Sequence, residues 1–266
     1  MRFRLKLHFF PERKKQRTLI ETAHCAVSKC ITGGCKDCMF DFTGRTEMIY
    51  GSEALEKLAR SRVAILGVGG VGSHTFEAIV RSGVGHVTIV DKDVVELSNK
   101  NRQLVALDST IGRKKVDIAK ERAHDINPLA EIEALDIFYL SPLDLDFSKF
   151  DYVVDAIDNI TGKLAIAESC MSAGVPLISA MACGNRVQPA KLAVSDIYDT
   201  TVCPICKIMR KELKARGISK LKVVYSTEVS VKTGGRTPGS TPFVPAYAGL
   251  LMAAEVINSL TRYVKN

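Results

Sequence analysis

No apolar run in this sequence is long enough to span a bilayer. The longest, residues 244–257, falls short of the roughly 20 residues a membrane helix needs and lies inside the chain, so it predicts a buried helix and no membrane partner. A secretory signal is missing as well. Arg2, Arg4 and Lys6 are followed only by residues 7–10 before Pro11 and another basic run, which leaves no apolar core for a leader and points to the cytoplasm. No internal repeat is apparent. Acidic residues are scarce at the start: residues 1–38 hold nine Lys/Arg against three Asp/Glu, which is six of the net charge of +8. With most of the excess in that tail, the overall charge is weak ground for a nucleic-acid partner.

What is present suffices for one large α/β domain or two small ones: 266 residues, 46% of them hydrophobic. Eight cysteines in an intracellular chain predict reduced thiols or a metal rather than disulfides. Half of them, Cys25, Cys30, Cys35 and Cys38, fall in the basic tail, and the Cys30-x4-Cys35-x2-Cys38 spacing is that of a plant-type iron–sulfur run with Cys25 as a fourth ligand. An unstructured or untranslated tail is the other reading. The texture changes after Met39, which is expected as an alternative start. The chain therefore divides into a Cys-containing tail, 1–38, and a domain, 39–266.

From Arg62 onward, short β-branched runs alternate with helical patterns. Residues 63–66, 86–90 and 132–137 read as strands, with helices near 73–82 and 114–126 between them. Strands at 152–157, 176–180 and 190–194 continue the pattern around a helix near 161–173. A basic amphipathic helix (203–216), a strand (223–228), a Gly/Pro-rich loop (234–242) and a last helix (245–260) follow. This alternation predicts a Rossmann-like α/β fold, a doubly wound and mostly parallel sheet with a C-terminal helical and mixed-strand extension.

The run GVGGVGS at 67–73 follows a strand and opens a helix, the context a nucleotide-binding turn requires. Gly67 permits the turn, Gly69 and Gly70 let backbone approach a phosphate, Gly72 lets helix pack on strand, and Ser73 begins the helix whose first amides face the ligand. A Gly-rich turn without a ligand is the alternative. Asp91 ends the next strand, where a carboxylate can accept hydrogen bonds from both ribose hydroxyls, and Asp93 joins it in the expected nucleotide set. The turn alone does not separate NAD from ATP. Asn99, Arg102, Gln103 and Lys115 place a guanidinium and an ammonium downstream, and a triphosphate needs such cations far more than a pyrophosphate does. ATP is therefore the expected cofactor. DAIDN at 155–159 ends another strand, where open parallel sheets bind ligands. There Asp158 is expected to hold Mg²⁺ against phosphate oxygens, with Asn159 beside it. Capping the following helix is the other role for Asp158.

GVGGVGS, Asp91, NRQ at 101–103, Lys115 and DAIDN together resemble the adenylating-enzyme family of ubiquitin-activating enzymes and bacterial activators of molybdopterin and thiamine sulfur-carrier proteins, over roughly residues 39–260. The resemblance implies ATP held by the glycine loop and Asp91, phosphate contacts from Arg102 and Lys115, and Mg²⁺ at Asp158. It also implies a homodimer in which Arg45, of FTGR at 42–45, reaches the partner subunit's ATP; a surface arginine is the plainer reading. Further runs are similar to the members of that family that act on threonylcarbamoyladenosine beside the tRNA anticodon: TGRTE at 43–47, residues 101–107, ACGN at 182–185 through Pro189, SDI at 195–197, MRKEL at 209–213 and YSTE at 225–228. They imply tRNA bearing that nucleoside as substrate. The threonyl carboxylate would attack the ATP α-phosphate to give an acyl-adenylate and pyrophosphate. A ureido nitrogen or side-chain-linked oxygen would then close a five-membered ring and expel AMP. Ring closure needs positioning more than acid–base power, so charge stabilisation by Arg102, Lys115, Arg45 and Mg²⁺ becomes the main catalytic term. The runner-up is adenylation of the C-terminus of a small ubiquitin-like sulfur carrier. An NAD-dependent oxidoreductase or regulatory nucleotide module comes third, because it leaves Arg102 and Lys115 without an obvious job.

Sulfur-carrier activators commonly carry two Cys-x-x-Cys pairs for zinc. CPIC at 203–206 offers one, and half a site cannot close a tetrahedral zinc without help from the tail thiols. Cys203 and Cys206 are expected as helix-start thiols, with Cys203 placed for a lowered pKa and nucleophilic reactivity. Lys207, Arg210, Lys211, Lys214, Arg216, Lys220 and Lys222 stand against a lone Glu212, either as a solvated face or as contacts for RNA phosphates. A cysteine desulfurase or other sulfur-transfer system is a further possible partner.

Overall fold

Seven strands form one sheet in the order β3-β2-β1-β4-β5-β7-β6. The strands are β1 (Arg62–Leu66), β2 (His86–Val90), β3 (Glu131–Leu135), β4 (Tyr152–Asp155), β5 (Leu177–Ala180), β6 (Leu192–Asp196) and β7 (Lys222–Ser226). All neighbours pair in parallel except β6, which runs antiparallel along β7 at one edge. The helices are α1 (Gly44–Tyr50), α2 (Ser52–Arg60), α3 (Gly72–Arg81), α4 (Lys115–Ile126), α5 (Ile160–Ala173), α6 (Pro204–Ala215) and α7 (Phe243–Thr261). This computed structural model describes residues 42–139, 145–235 and 237–262. Two compact units meet in sequence between Arg45 and Thr46. The expectations for residues 1–38, including their four thiols and the start at Met39, lie outside the described residues.

The two faces of the sheet are written into alternate residues. Val63, Ile65, Val87, Ile89, Val154 and Ile178 point to one layer, where they pack with α2, α3, α4 and α7. Ala64, Leu66, Val90 and Val153 point to the other and meet Ile166 and Cys170 of α5. Val223 and Tyr225 extend that second layer under α6 through Met209 and Leu213. A parallel sheet covered on both sides needs this kind of continuous apolar strand, because neither face reaches water.

Local chemistry sets the helix ends. Asn159 caps α5 by accepting from the Gly162 N–H at 3.1 Å, and Gly174 closes the helix in the left-handed region at φ 68°. Pro204 occupies the first turn of α6, where its missing N–H costs no helical hydrogen bond. α7, at 19 residues, is longer than the pattern indicates, and by length and composition alone it could cross a membrane. It instead buries Val244, Ala248, Met252, Val256 and Leu260 in the first layer. Gly249 permits its approach to α3: a Cβ there would stand 2.4 Å from the Val71 carbonyl oxygen, and Thr75 Oγ1 donates to Gly249 O at 3.0 Å.

Candidate active site

The strand order reverses between β1 and β4, so the crevice beyond their carboxyl ends is where such a sheet binds ligands. The glycine loop fills one side of it. Gly67 adopts φ 94°, and a Cβ on it would lie 2.7 Å from Ala156 O, across the switch point. A Cβ on Gly72 would come within 1.8 Å of Gly67 O, so the turn closes only without side chains. Ser73 N–H returns to Gly69 O at 3.0 Å, and Ser73 Oγ accepts from the Leu104 N–H at 3.3 Å, tying the loop to the segment after β2.

Asp91 pins the loop from below. Its Oδ2 accepts from the Val68 N–H at 2.7 Å and its Oδ1 from the Asp93 N–H at 2.8 Å, which leaves one lone pair on each oxygen for a ribose. Burial pushes this carboxyl above its ordinary value, against the opposing pull of Lys115 and of the two amides. Lys115, only 4% exposed, donates from Nζ to Asp93 Oδ2 at 2.8 Å. Arg102 lays its aliphatic stem over the loop, with Cγ 3.2 Å from where a Cβ on Gly70 would be, and donates from Nη1 to Ser98 O and Asn101 Oδ1. Asn99 is inward and structural: its Oδ1 accepts from the Glu96 N–H at 3.0 Å. Gln103 is buried with its Oε1 unpartnered among the described residues, a free acceptor beside the glycine loop.

On the β4 side the helix cap falls to Asn159, not Asp158. The Asp158 carboxylate is exposed and makes no hydrogen bond or ion pair among the described residues. Arg45 lies in the first turn of α1, within the N-terminal unit.

Two buried cations on the same carboxyl edge carry no signature in the sequence. Lys163 lies one turn into α5 and bridges Asp155, Ser179 and Ala180 O; the DAIDN run displayed Asp155 but gave no sign of its partner. Arg186 sits in the loop after β5, inside the run that extends to Pro189, and only its burial separates it from any surface arginine. Of the seven basic residues in and after α6, Arg210 bonds Thr200, Arg216 pairs with Glu212 and Glu168, and Lys222 pairs with Glu255. Lys207, Lys211, Lys214 and Lys220 remain exposed without an ion-pair partner among the described residues.

Cys203 is the residue before α6, entered through Val202 at φ 61°, a strained backbone for a β-branched side chain. Hydrogen bonding from the Cys206 thiol, helped by backbone amides and opposed by burial, lowers the Cys203 thiol to about 5; its partner Cys206 is raised. Cys203 is 2% exposed. Among the described residues no group of three or more His, Cys, Asp or Glu side chains is arranged to hold a metal.

Comparison with known proteins places this geometry. Residues 43–266 match the ThiF family. A Bacillus subtilis protein named tRNA threonylcarbamoyladenosine dehydratase is 40% identical, with 83% of this chain and 95% of that protein aligned. The crystal structure of the Escherichia coli tRNA N6-threonylcarbamoyladenosine dehydratase with AMP superposes with a TM-score of 0.81 at 29% identity, covering 86% of this chain and 98% of that one; the same enzyme with ATP gives 0.78. A sulfur carrier protein adenylyltransferase of Thermus thermophilus is 34% identical but aligns with only 48% of each chain.

Proposed function

The chain belongs to the ThiF family, and on that premise we propose that it is an ATP-dependent enzyme that activates the threonyl carboxylate of threonylcarbamoyladenosine in tRNA and closes it with loss of water. The observation that carries the ATP half is the cradle at the switch point: a side-chain-free loop held by Asp91, with Arg102 over it and Lys115 paired to Asp93. Near full-length likeness to the dehydratases carries the substrate half and favours it over adenylation of a carrier protein, whose relative aligns with half of the chain.

In this reading a threonyl oxygen attacks the α-phosphorus, pyrophosphate departs, and an atom of the same modification then displaces AMP. Loop amides and the first turn of α3 face the phosphates, Asp91 takes the ribose, and Arg102 with Lys115 offsets charge that builds on the phosphate oxygens. The unpaired Asp158 carboxylate suits a Mg²⁺ bound through one protein group plus substrate phosphates, and such an ion would neutralise the departing pyrophosphate. No side chain is required as a covalent nucleophile.

A homodimer completed by Arg45 is part of the proposal. The exposed Met48 and Ile49 of α1 support an apolar contact there. We also propose a cytoplasmic location, where tRNA is, and no membrane partner, because α7 is a core helix. A sulfur-transfer partner is proposed on the family resemblance alone.

The test is pyrophosphate release from ATP with tRNA bearing the modification, with unmodified tRNA, and with a carrier protein, each with and without chelator. Release should require the modified tRNA and Mg²⁺, and R102A should slow it about 100-fold. Release driven by a carrier protein instead would overturn the assignment.

A further inference from the structure

Arg186 is the largest fully buried side chain among the described residues, at 2% exposure. No carboxylate lies within ion-pair distance of it among the described residues. Its one hydrogen bond runs from Nη1 to Ser230 Oγ, and Nε is buried without a partner. Nε and Nη2 share the edge of the guanidinium opposite Cδ, so the unused donors form the parallel fork that fits two oxygens of one anion.

The nearby acid is already committed. Glu228, itself buried, accepts from the Val187 N–H at 3.1 Å and from the Gln188 N–H at 3.0 Å, and so holds the backbone that carries Arg186 rather than its charge. The loop is further clamped by Asn185, at φ 56°, whose Oδ1 accepts from the Gly239 N–H at 2.6 Å. A burial this costly without a counter-ion, in a loop whose backbone is bonded at Val187 N and Gln188 N to Glu228, at Asn185 N to Gly239 O and at Asn185 O to Val231 N, describes a site prepared for an anion.

Its place in the fold says which anion. The loop leaves the carboxyl end of β5, one strand from the switch point, and Asn101, the neighbour of Arg102, donates to Ser240 O in the segment that clamps it. Cys183, between β5 and Arg186, feels the charge of both Lys163 and Arg186. The glycine loop, Arg102 and Lys115 already provide for the phosphates on the β1 side. The carboxylate that attacks the nucleotide needs a cation of its own.

We propose that Arg186 binds the carboxylate of the substrate through its Nε–Nη2 edge and presents it to the nucleotide. This rests on the acyl-adenylate reading above. A phosphate of ATP is the other source of such an anion, and the measurements separate the two.

The experiment uses the full chain and its Arg186→Met and Arg186→Lys variants. It measures kcat and KM for modified tRNA, ATP affinity by calorimetry, and thermal midpoint. R186M should lose about 10- to 100-fold in kcat/KM for tRNA, with ATP affinity unchanged, and R186K should recover part of the loss. The modified nucleoside should also compete better than its carboxamide analogue against wild type, and equally well against R186M. Equal loss of ATP affinity would assign the edge to a phosphate and overturn the proposal. So would a lower midpoint with kcat/KM and the acid-over-amide preference intact, which is a purely structural role. If wild type itself shows no tRNA-dependent pyrophosphate release, the acyl-adenylate reading fails first and the two failures are told apart.

Discussion

Lys163 Nζ lies 3.1 Å from both carboxylate oxygens of Asp155, and the two side chains are 3% and 1% exposed. The ammonium also donates to Ala180 O at 2.7 Å, so the pair ties α5 to the carboxyl ends of β4 and β5, beneath the crevice. Removing one partner strands the other charge in the interior. Lys163→Met should cost about 3–5 kcal/mol in urea unfolding, and adding Asp155→Asn should restore much of it. A single-variant loss below about 1 kcal/mol would show that the pair is not the tie we describe.

Two loop glycines should fail differently. A Cβ on Gly72 meets the backbone oxygen of Gly67 at 1.8 Å, and backbone cannot step aside, so Gly72→Ala should destabilise the fold by about 3 kcal/mol or more. A Cβ on Gly70 meets only the Arg102 stem at 3.2 Å. Gly70→Ala should keep its thermal midpoint while ATP turnover falls, because Arg102 is displaced. Similar midpoint losses in both variants would contradict this.

Asp91 gives a pH dependence of known sign. A carboxyl whose folded pKa is raised holds its proton more tightly folded than unfolded. This group therefore favours folding below its ordinary value of 3.8, and the contribution is lost as pH rises through the folded value. Protonation also removes an acceptor for the ribose. ATP affinity should weaken on acidification at a higher pH than an ordinary aspartate allows, and Asp91→Asn should bind ATP weakly with that pH dependence gone; calorimetry across the acidic range reads both.

The Cys203 thiol works in the opposite sense. With its folded value lowered to about 5, its contribution is present above the ordinary value of 9.0 and is lost as pH falls toward 5. Thermal midpoints should therefore rise with pH across that window in wild type, and the slope should shrink in Cys203→Ser. An unchanged slope would mean the thiol is not ionised in the fold.

The glycine turn and its Asp91 anchor were legible because their geometry is local. GVGGVGS, the strand before it and Asp91 after the next strand lie within about one βαβ unit, where chain order and space nearly coincide. The short β-branched runs likewise located the seven strands, with ends moved by one or two residues, as at β3, which stops at Leu135 where the apolar pattern continues to Ile137. The helix cap went to Asn159 rather than Asp158 because the two stand side by side, and one residue of backbone geometry decides which side chain turns back onto the Gly162 N–H.

Sequence by itself determined the class of fold, the glycine turn after β1 and the cations near it, since each depends on residues close along the chain. Tertiary structure alone decided which charges are spent and which are free. Glu228 could be recognised as an anchor for the loop of Arg186, and not as its counter-ion, only once 41 residues of intervening chain had folded back, because burial and hydrogen-bond satisfaction are properties of the packed molecule.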